Sequence, residues 1–157
     1  MNGNGIFNIN SFLTPDVSCA PVYVWVWNDV CTKEVIDTQL NEMQNLGIRA
    51  FYILPEPKDF RPGSMPTNLT PDYLTDDFFE ICDYAIKQGK VRGMNCWIYD
   101  EGGWPSGSAC GKVTKSHPEF SVKNSRYPDL LNKKATEYFI ETTHEKYASA
   151  IGKDFKN

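Results

Sequence analysis

Three short and almost entirely apolar segments constrain the fold of this chain more than any other feature. They cover residues 22–27, 48–54 and 93–99 and are rich in β-branched and aromatic side chains, as β-strands are. Few polar side chains interrupt them, which is typical of strands in a parallel sheet that is covered on both faces. We therefore expect parallel strands whose connections cross over the sheet.

Amphipathic helices are expected in these connections. The first two begin after the capping residues Thr32 and Thr75 and end at Gly47 and Gly89. The order of elements predicts an α/β fold with right-handed helical crossovers. Two architectures satisfy this order: an open doubly wound sheet, and a partial (β/α)8 TIM barrel.

A third, longer helix is expected near the C-terminus, from a cap at Asn132 to Gly152. Its apolar stripe repeats every four residues, at Ala135, Phe139, Thr143, Tyr147 and Ile151. We divide the chain into an irregular lead-in at residues 1–20 and one domain at residues 21–157, which is large enough to bury a core.

Side chains alternate between the two faces of a strand, so parity predicts which of them share a face. On the first strand, Val22, Val24 and Val26 point one way, and Tyr23, Trp25 and Trp27 point the other. On the third strand, one set suits the helix-facing side: Met94, Cys96 and Ile98. The other set suits a barrel interior: Asn95, Trp97 and Tyr99.

Composition excludes several classes of partner. The formal net charge is −4, and no cluster of Lys and Arg could neutralise a nucleic-acid backbone. The longest apolar runs are shorter than ten residues, so we expect no membrane span. The N-terminus has neither the charged nor the apolar region of a signal peptide, so we expect a cytoplasmic protein.

No cofactor or metal is expected. The five cysteines form no CxxC pair, which argues against a zinc site or a disulfide framework. The turn after the first strand reads Asn-Asp-Val-Cys-Thr at residues 28–32 and lacks the glycines that bind a dinucleotide.

The clearest candidate for a functional site is the loop after the third strand. Asp100 and Glu101 follow the strand directly, and the loop then contains two glycines, Trp104, Pro105 and Ser106. Carboxylates beside an aromatic ring suit a polar ligand with flat apolar faces, as a sugar has. A solvated turn is the alternative interpretation of the same residues.

Parity separates the two acids. Neighbouring residues at a strand end point to opposite faces, so Asp100 and Glu101 cannot act as a catalytic pair with each other. Continuing the face of Tyr99 places Glu101 at the C-terminal rim, where active sites lie on a barrel. We predict that Glu101 is the functional carboxylate and that Asp100 orients the loop by accepting backbone hydrogen bonds.

The other candidate site residues are a second acid, two aromatic residues and two polar residues. Glu56 stands just beyond the second strand and is a candidate second acid, with a solvated loop acid as the alternative. Trp27 and Trp104 could stack on sugar rings, although Trp27 also suits a core position. Asn28 and Ser106 could bond sugar hydroxyls or cap turns.

Several segments resemble the early barrel of large bacterial glycoside hydrolases of the α-L-rhamnosidase-like group. The most specific is YDEGGWPSG at residues 99–107, followed by GKV at 111–113 and HPE at 117–119. The others are VWVW at 24–27, QLNEMQNLGI at 39–48 and DLLN at 129–132. The resemblance implies a (β/α)8 barrel that hydrolyses glycosidic bonds of oligosaccharides or polysaccharides by carboxylate acid/base chemistry.

The chain departs from the family pattern in two ways. Only about ten residues separate the HPE and DLLN segments, where the family has a long stretch, and the acidic strand that follows the last helix in the family is not present. Residues 90–92 are also added between a helix and a strand. We expect a truncated, internally shortened barrel that is hydrolytic when complete and inactive alone. The alternatives are an inert carbohydrate-binding remnant and a half-barrel that self-associates through its open sheet edges.

Overall fold

The computed structural model describes residues 7–58, 60, 63–64, 66–99, 101–123 and 125–155. Its centre is one sheet of three parallel strands in the order β1-β2-β3. The strands are β1 (Tyr23–Trp27), β2 (Ala50–Pro55) and β3 (Asn95–Trp97). The α/β fold with parallel strands is therefore confirmed, and the third strand is shorter than residues 93–99.

Two helices form the crossovers between these strands. They are α2 (Lys33–Asn45) and α3 (Asp76–Val91), and the caps at Thr32 and Thr75 are confirmed by side-chain bonds to backbone N–H groups. Gly47 has a φ of +77° just beyond α2, so this helix ends where a left-handed residue is needed.

The predicted end of the second crossover helix at Gly89 is wrong. Gly89 lies inside α3 and is buried, because the helix continues for two more residues. A Cβ atom at this position would be 3.0 Å from the ring of Phe51, so the glycine lets α3 approach the sheet closely.

The prediction of a single long C-terminal helix is also wrong. Two helices occupy this segment, α5 (Lys133–Thr142) and α6 (His144–Ile151), and they meet at Thr143. The φ and ψ of Thr143 are −123° and −71°, which interrupts the helix, and its hydroxyl donates to the carbonyl of Phe139 at 2.8 Å. A four-residue apolar repeat alone does not reveal this break.

Two short helices lie outside the predicted set. The lead-in, predicted to be irregular, contains α1 (Ile9–Leu13), and α4 (Lys112–Ser116) follows the loop at residues 101–111. A small second core joins α4 to α5 through Ala109, Val113 and Phe139. In the part of the chain that the structure describes, every helix is too short or too polar to cross a bilayer.

The main core lies between the sheet and the crossover helices. The strands contribute Trp25, Trp27 and Phe51, and the helices pack against them with Ile36, Leu40, Phe78, Cys82 and Ile86. The predicted parity of β1 holds for Trp25 and Trp27, which are buried, and for Val24 and Val26, which are exposed. Tyr23, predicted to share the face of the two tryptophans, begins the strand and is 49% exposed.

Candidate functional site

Glu101 closes the loop at residues 101–111 on itself. Its side chain is completely buried, and its Oε1 accepts hydrogen bonds from the backbone N–H groups of Gly107 and Ser108. A carboxylate that accepts backbone N–H bonds in a buried place is a strong anchor, because the charge strengthens both bonds. This contact resembles the orienting role that the sequence suggested for Asp100, which lies outside the described residues.

The first half of the loop is pressed against two aromatic rings. A Cβ atom on Gly103 would be 2.6 Å from the ring of Phe60, and one on Gly102 would be 2.9 Å from Tyr73. Gly103 has a φ of +80°, and its N–H donates to the carbonyl of Pro55 at 2.7 Å. Only glycine fits here, so the two glycines fasten the loop to the carboxyl end of β2.

The second half of the loop makes a left-handed turn. Ala109, Cys110 and Gly111 have φ values of 47°, 53° and 73°, a conformation that costs about 1–2 kcal/mol for each residue with a Cβ atom. Ala109 and Cys110 are buried, and the Cys110 thiol donates to the carbonyl of Gly102 at 2.8 Å. Packing therefore holds a strained backbone in place, as is common at functional sites.

Between these two anchors the loop is exposed. Trp104, Pro105 and Ser106 form its tip, and the side chain of Trp104 is 62% exposed. The predicted contact residues Trp104 and Ser106 are therefore accessible to a ligand. We call residues 104–106 the tip.

The residues that follow β1 differ in accessibility. Trp27 lies in the core at 2% exposure, with its ring 5.4 Å from Trp25 and 6.2 Å from Phe78. Among the described residues, its indole N–H has no hydrogen-bond partner. Asn28 is exposed, and its carbonyl accepts from the N–H of Asn68 at 2.9 Å.

Glu56 follows β2 and is 5% exposed. Its N–H donates to the carbonyl of Trp27 at 2.9 Å, and its own carbonyl accepts from the Thr67 hydroxyl at 2.7 Å. The two candidate carboxylates, Glu56 and Glu101, thus follow neighbouring strands, and both are buried. Their catalytic assignment stays a prediction.

Sequence reasoning missed the aromatic residues that support the loop. Phe60 and Tyr73 come from the long segment between β2 and α3, and both belong to the main core. Burial raises the pKa of the Tyr73 phenol well above its usual value, and Tyr147, Cys110 and Glu101 nearby raise it further. The segment has no periodicity, and its only signal was two aromatic residues within a proline-rich stretch.

The described residues contain no cluster of three or more His, Cys, Asp or Glu side chains that could hold a metal ion. Both histidines contact aromatic rings: His117 lies 4.8 Å from Phe120 and 4.6 Å from Tyr138, and His144 lies 5.2 Å from Phe139. These contacts give both histidines a packing role.

Comparison with known proteins identified no relative of this chain. No model of a known protein family matches the chain, and no curated protein matches it.

Proposed function

We propose that the carboxyl end of the sheet forms one wall of a carbohydrate site in a partial (β/α)8 barrel of glycoside-hydrolase type. The parallel strands and helical crossovers agree with such a barrel, whose active sites lie at this rim. Asn28, Glu56 and Glu101 each lie beyond the carboxyl end of a strand. The ligand is an oligosaccharide or a polysaccharide.

The tip carries this proposal. Trp104 is 62% exposed although Glu101, Gly103 and the left-handed turn fix the loop on both sides of it. An aromatic side chain on a fixed backbone has only two side-chain rotations to lose when it stacks on a sugar, so the cost in entropy is small. Ser106 beside it and Asn28 at the rim supply exposed polar groups for sugar hydroxyls.

Hydrolysis of a glycosidic bond requires a pair of carboxyl groups, one on each side of the bond that is cleaved. Glu101 and Glu56 are our candidates for these groups. Their burial favours a second candidate function, in which the chain binds a sugar without cleaving it. The two functions share the tip and differ only in whether Glu101 reaches the substrate.

Titration of the whole chain with rhamnose-containing and other oligosaccharides, followed by calorimetry, tests the proposal. We expect Trp104→Ala to weaken binding by about tenfold, which corresponds to about 1.4 kcal/mol. The matched control is Tyr23→Ala, because Tyr23 is 49% exposed but begins β1 at the opposite, amino end of the sheet. Equal losses in both variants, or no binding by the unmodified chain, would contradict the proposal.

The same experiment separates hydrolysis from binding. Glu101→Gln keeps an oxygen that can accept the two backbone N–H bonds, so sugar affinity should remain. If Glu101 is catalytic, turnover of aryl glycosides should fall at least 100-fold in this variant. If the unmodified chain binds sugars without any turnover, the binding function holds and hydrolysis by this chain is excluded.

A further inference from the structure

The face of the sheet opposite the main core carries several exposed apolar side chains, although Leu54, the register partner of Val26, is 6% exposed and Tyr52 stacks on Tyr99. Val24, Tyr52 and Trp97 are aligned in register across the three strands, and Val26 continues the row on β1. Val24, Val26 and Trp97 are 50%, 44% and 51% exposed, and Val22, just before β1, is 37% exposed. We call these five side chains the open face: Val22, Val24, Val26, Tyr52 and Trp97.

The N-terminal segment carries a second set of exposed apolar side chains. Within residues 7–13, Phe7, Ile9, Phe12 and Leu13 are 69%, 53%, 68% and 69% exposed. Ile9, Phe12 and Leu13 share one side of α1 by helical spacing, and the Phe7 ring lies 5.6 Å from that of Phe12. We call residues 7–13 the arm.

The arm has little to stabilise it within its own chain. Helix α1 has five residues and no buried side chain, and a helix this short is marginal without tertiary packing. After α1, Arg49 Nη1 donates to the carbonyl of Pro15 at 3.0 Å, and this bond ties the chain to the amino end of β2. The arm therefore presents a short helix with exposed apolar side chains on one side and no buried residue.

We propose that two copies of this chain form a dimer in which the arm of each copy covers the open face of the other. Two-fold symmetry makes the exchange reciprocal, so the interface contains both contacts. A face of valines with two aromatic rings suits a helix that presents two phenylalanines, one isoleucine and one leucine.

The surface area that the proposed contact would bury is large enough for a stable dimer. Aromatic side chains offer 150–250 Å² when fully buried, and from the exposed fractions one arm on one face covers roughly 800 Å². The reciprocal contact doubles this to about 1,600 Å², the standard size of a stable protein–protein interface. A single arm that folded back on its own chain would cover only half of this area.

Charge supports contact between identical copies. The chain has a net charge of −4, so two copies repel each other except where their surfaces are neutral. Charged residues make up 23% of the chain, yet none lies in the arm or in the open face. These are the surfaces on which a second copy can approach without bringing like charges together.

Light scattering and sedimentation of the full chain over a wide concentration range test this proposal. We expect a species of twice 17.9 kDa, and at least a tenfold weaker dimer for Phe12→Asp in the arm and for Val26→Asp on the open face. The matched control is Leu131→Asp, because Leu131 is 98% exposed and lies outside both surfaces. The Phe12 variant keeps the test valid if the Val26 variant does not fold, because no residue of α1 is buried and Phe12 is 68% exposed.

Mixing the two variants gives the sharpest result. A heterodimer of Phe12→Asp with Val26→Asp retains one intact arm on one intact face, so the mixture should dimerise more tightly than either variant alone. A monomer at all concentrations overturns the proposal, and a monomer in which Phe12→Asp uncovers Trp97 shows that the arm covers its own sheet. A dimer that neither variant weakens places the interface elsewhere and also overturns the proposal.

Discussion

The two faces of the sheet are built from alternate residues of the same strands but have different surroundings. On one face, Trp25, Phe51 and Cys96 pack against α2, α3 and α6 in the main core. On the open face, Val24 and Trp97 are about half exposed. Both faces are apolar, so hydrophobicity alone does not determine which of them is covered.

The helical connections between the strands determine which face of the sheet is covered. Helices α2 and α3 contact each other and pack on the same face of the three consecutive strands, as is expected of right-handed crossovers. An open doubly wound sheet reverses its strand order to cover the second face, and a barrel covers that face by closing. This sheet does neither within the described residues, so its second face is available to another partner.

Substitutions on the two faces of the sheet should differ most in their effect on stability. Phe51→Ala should lower the free energy of unfolding by about 3–5 kcal/mol, because the ring is completely buried beside Trp25 and Gly89. Val24→Ala, on the open face of the neighbouring strand β1, should cost at most about 1 kcal/mol. Urea unfolding at low protein concentration measures both, and similar losses would show that the open face is as tightly packed as the covered one.

The sequence predicted most of the regular fold because its signals were local. Strand composition, the Thr32 and Thr75 caps and the glycine after α2 depend on neighbouring residues only, and the structure confirms them. The errors have tertiary causes. Helix α3 passes through Gly89 because Phe51 packs against it, and the break at Thr143 lies within an unbroken apolar repeat.

The candidate site was harder to predict. The sequence located the loop and the tip, because glycines, proline and tryptophan stand out in any chain. Strand parity placed Glu101 at the rim, and its burial under the loop depends on bonds to Gly107 and Ser108 that a strand pattern does not contain. The support from Phe60 and Tyr73 comes from a segment without periodicity, and two aromatic residues in a proline-rich stretch do not indicate which part of the chain they contact.

A smaller effect concerns alkaline pH. Burial on the covered face raises the pKa of the Cys96 thiol to about 12 and raises that of Cys82 well above its usual value. Both thiols hold their protons more tightly in the folded chain, so the stability that they contribute is complete below pH about 9. It is lost as the pH rises further, by about 1.4 kcal/mol per pH unit for each thiol.

The slope of unfolding free energy against pH, measured by urea unfolding from pH 8 to 11, checks this expectation. Cys96→Ala should make the slope shallower by the contribution of one titrating thiol, whereas Val24→Ala, which removes no titratable group, should leave it unchanged. A slope that Cys96→Ala does not alter would mean that water reaches this side of the sheet as well.

The smallest effect is spectroscopic. Trp25 is 5% exposed, and its indole N–H donates to Gln39 Oε1 at 2.7 Å, whereas Trp97 on the open face is 51% exposed. In the Phe12→Asp form, where no arm covers the open face, Trp97→Phe should remove a fluorescence component that acrylamide quenches readily. Trp25→Phe should remove a protected component instead. If both substitutions removed equally protected emission, the open face would be covered by something other than the arm, and the contrast between the two faces would not hold in solution.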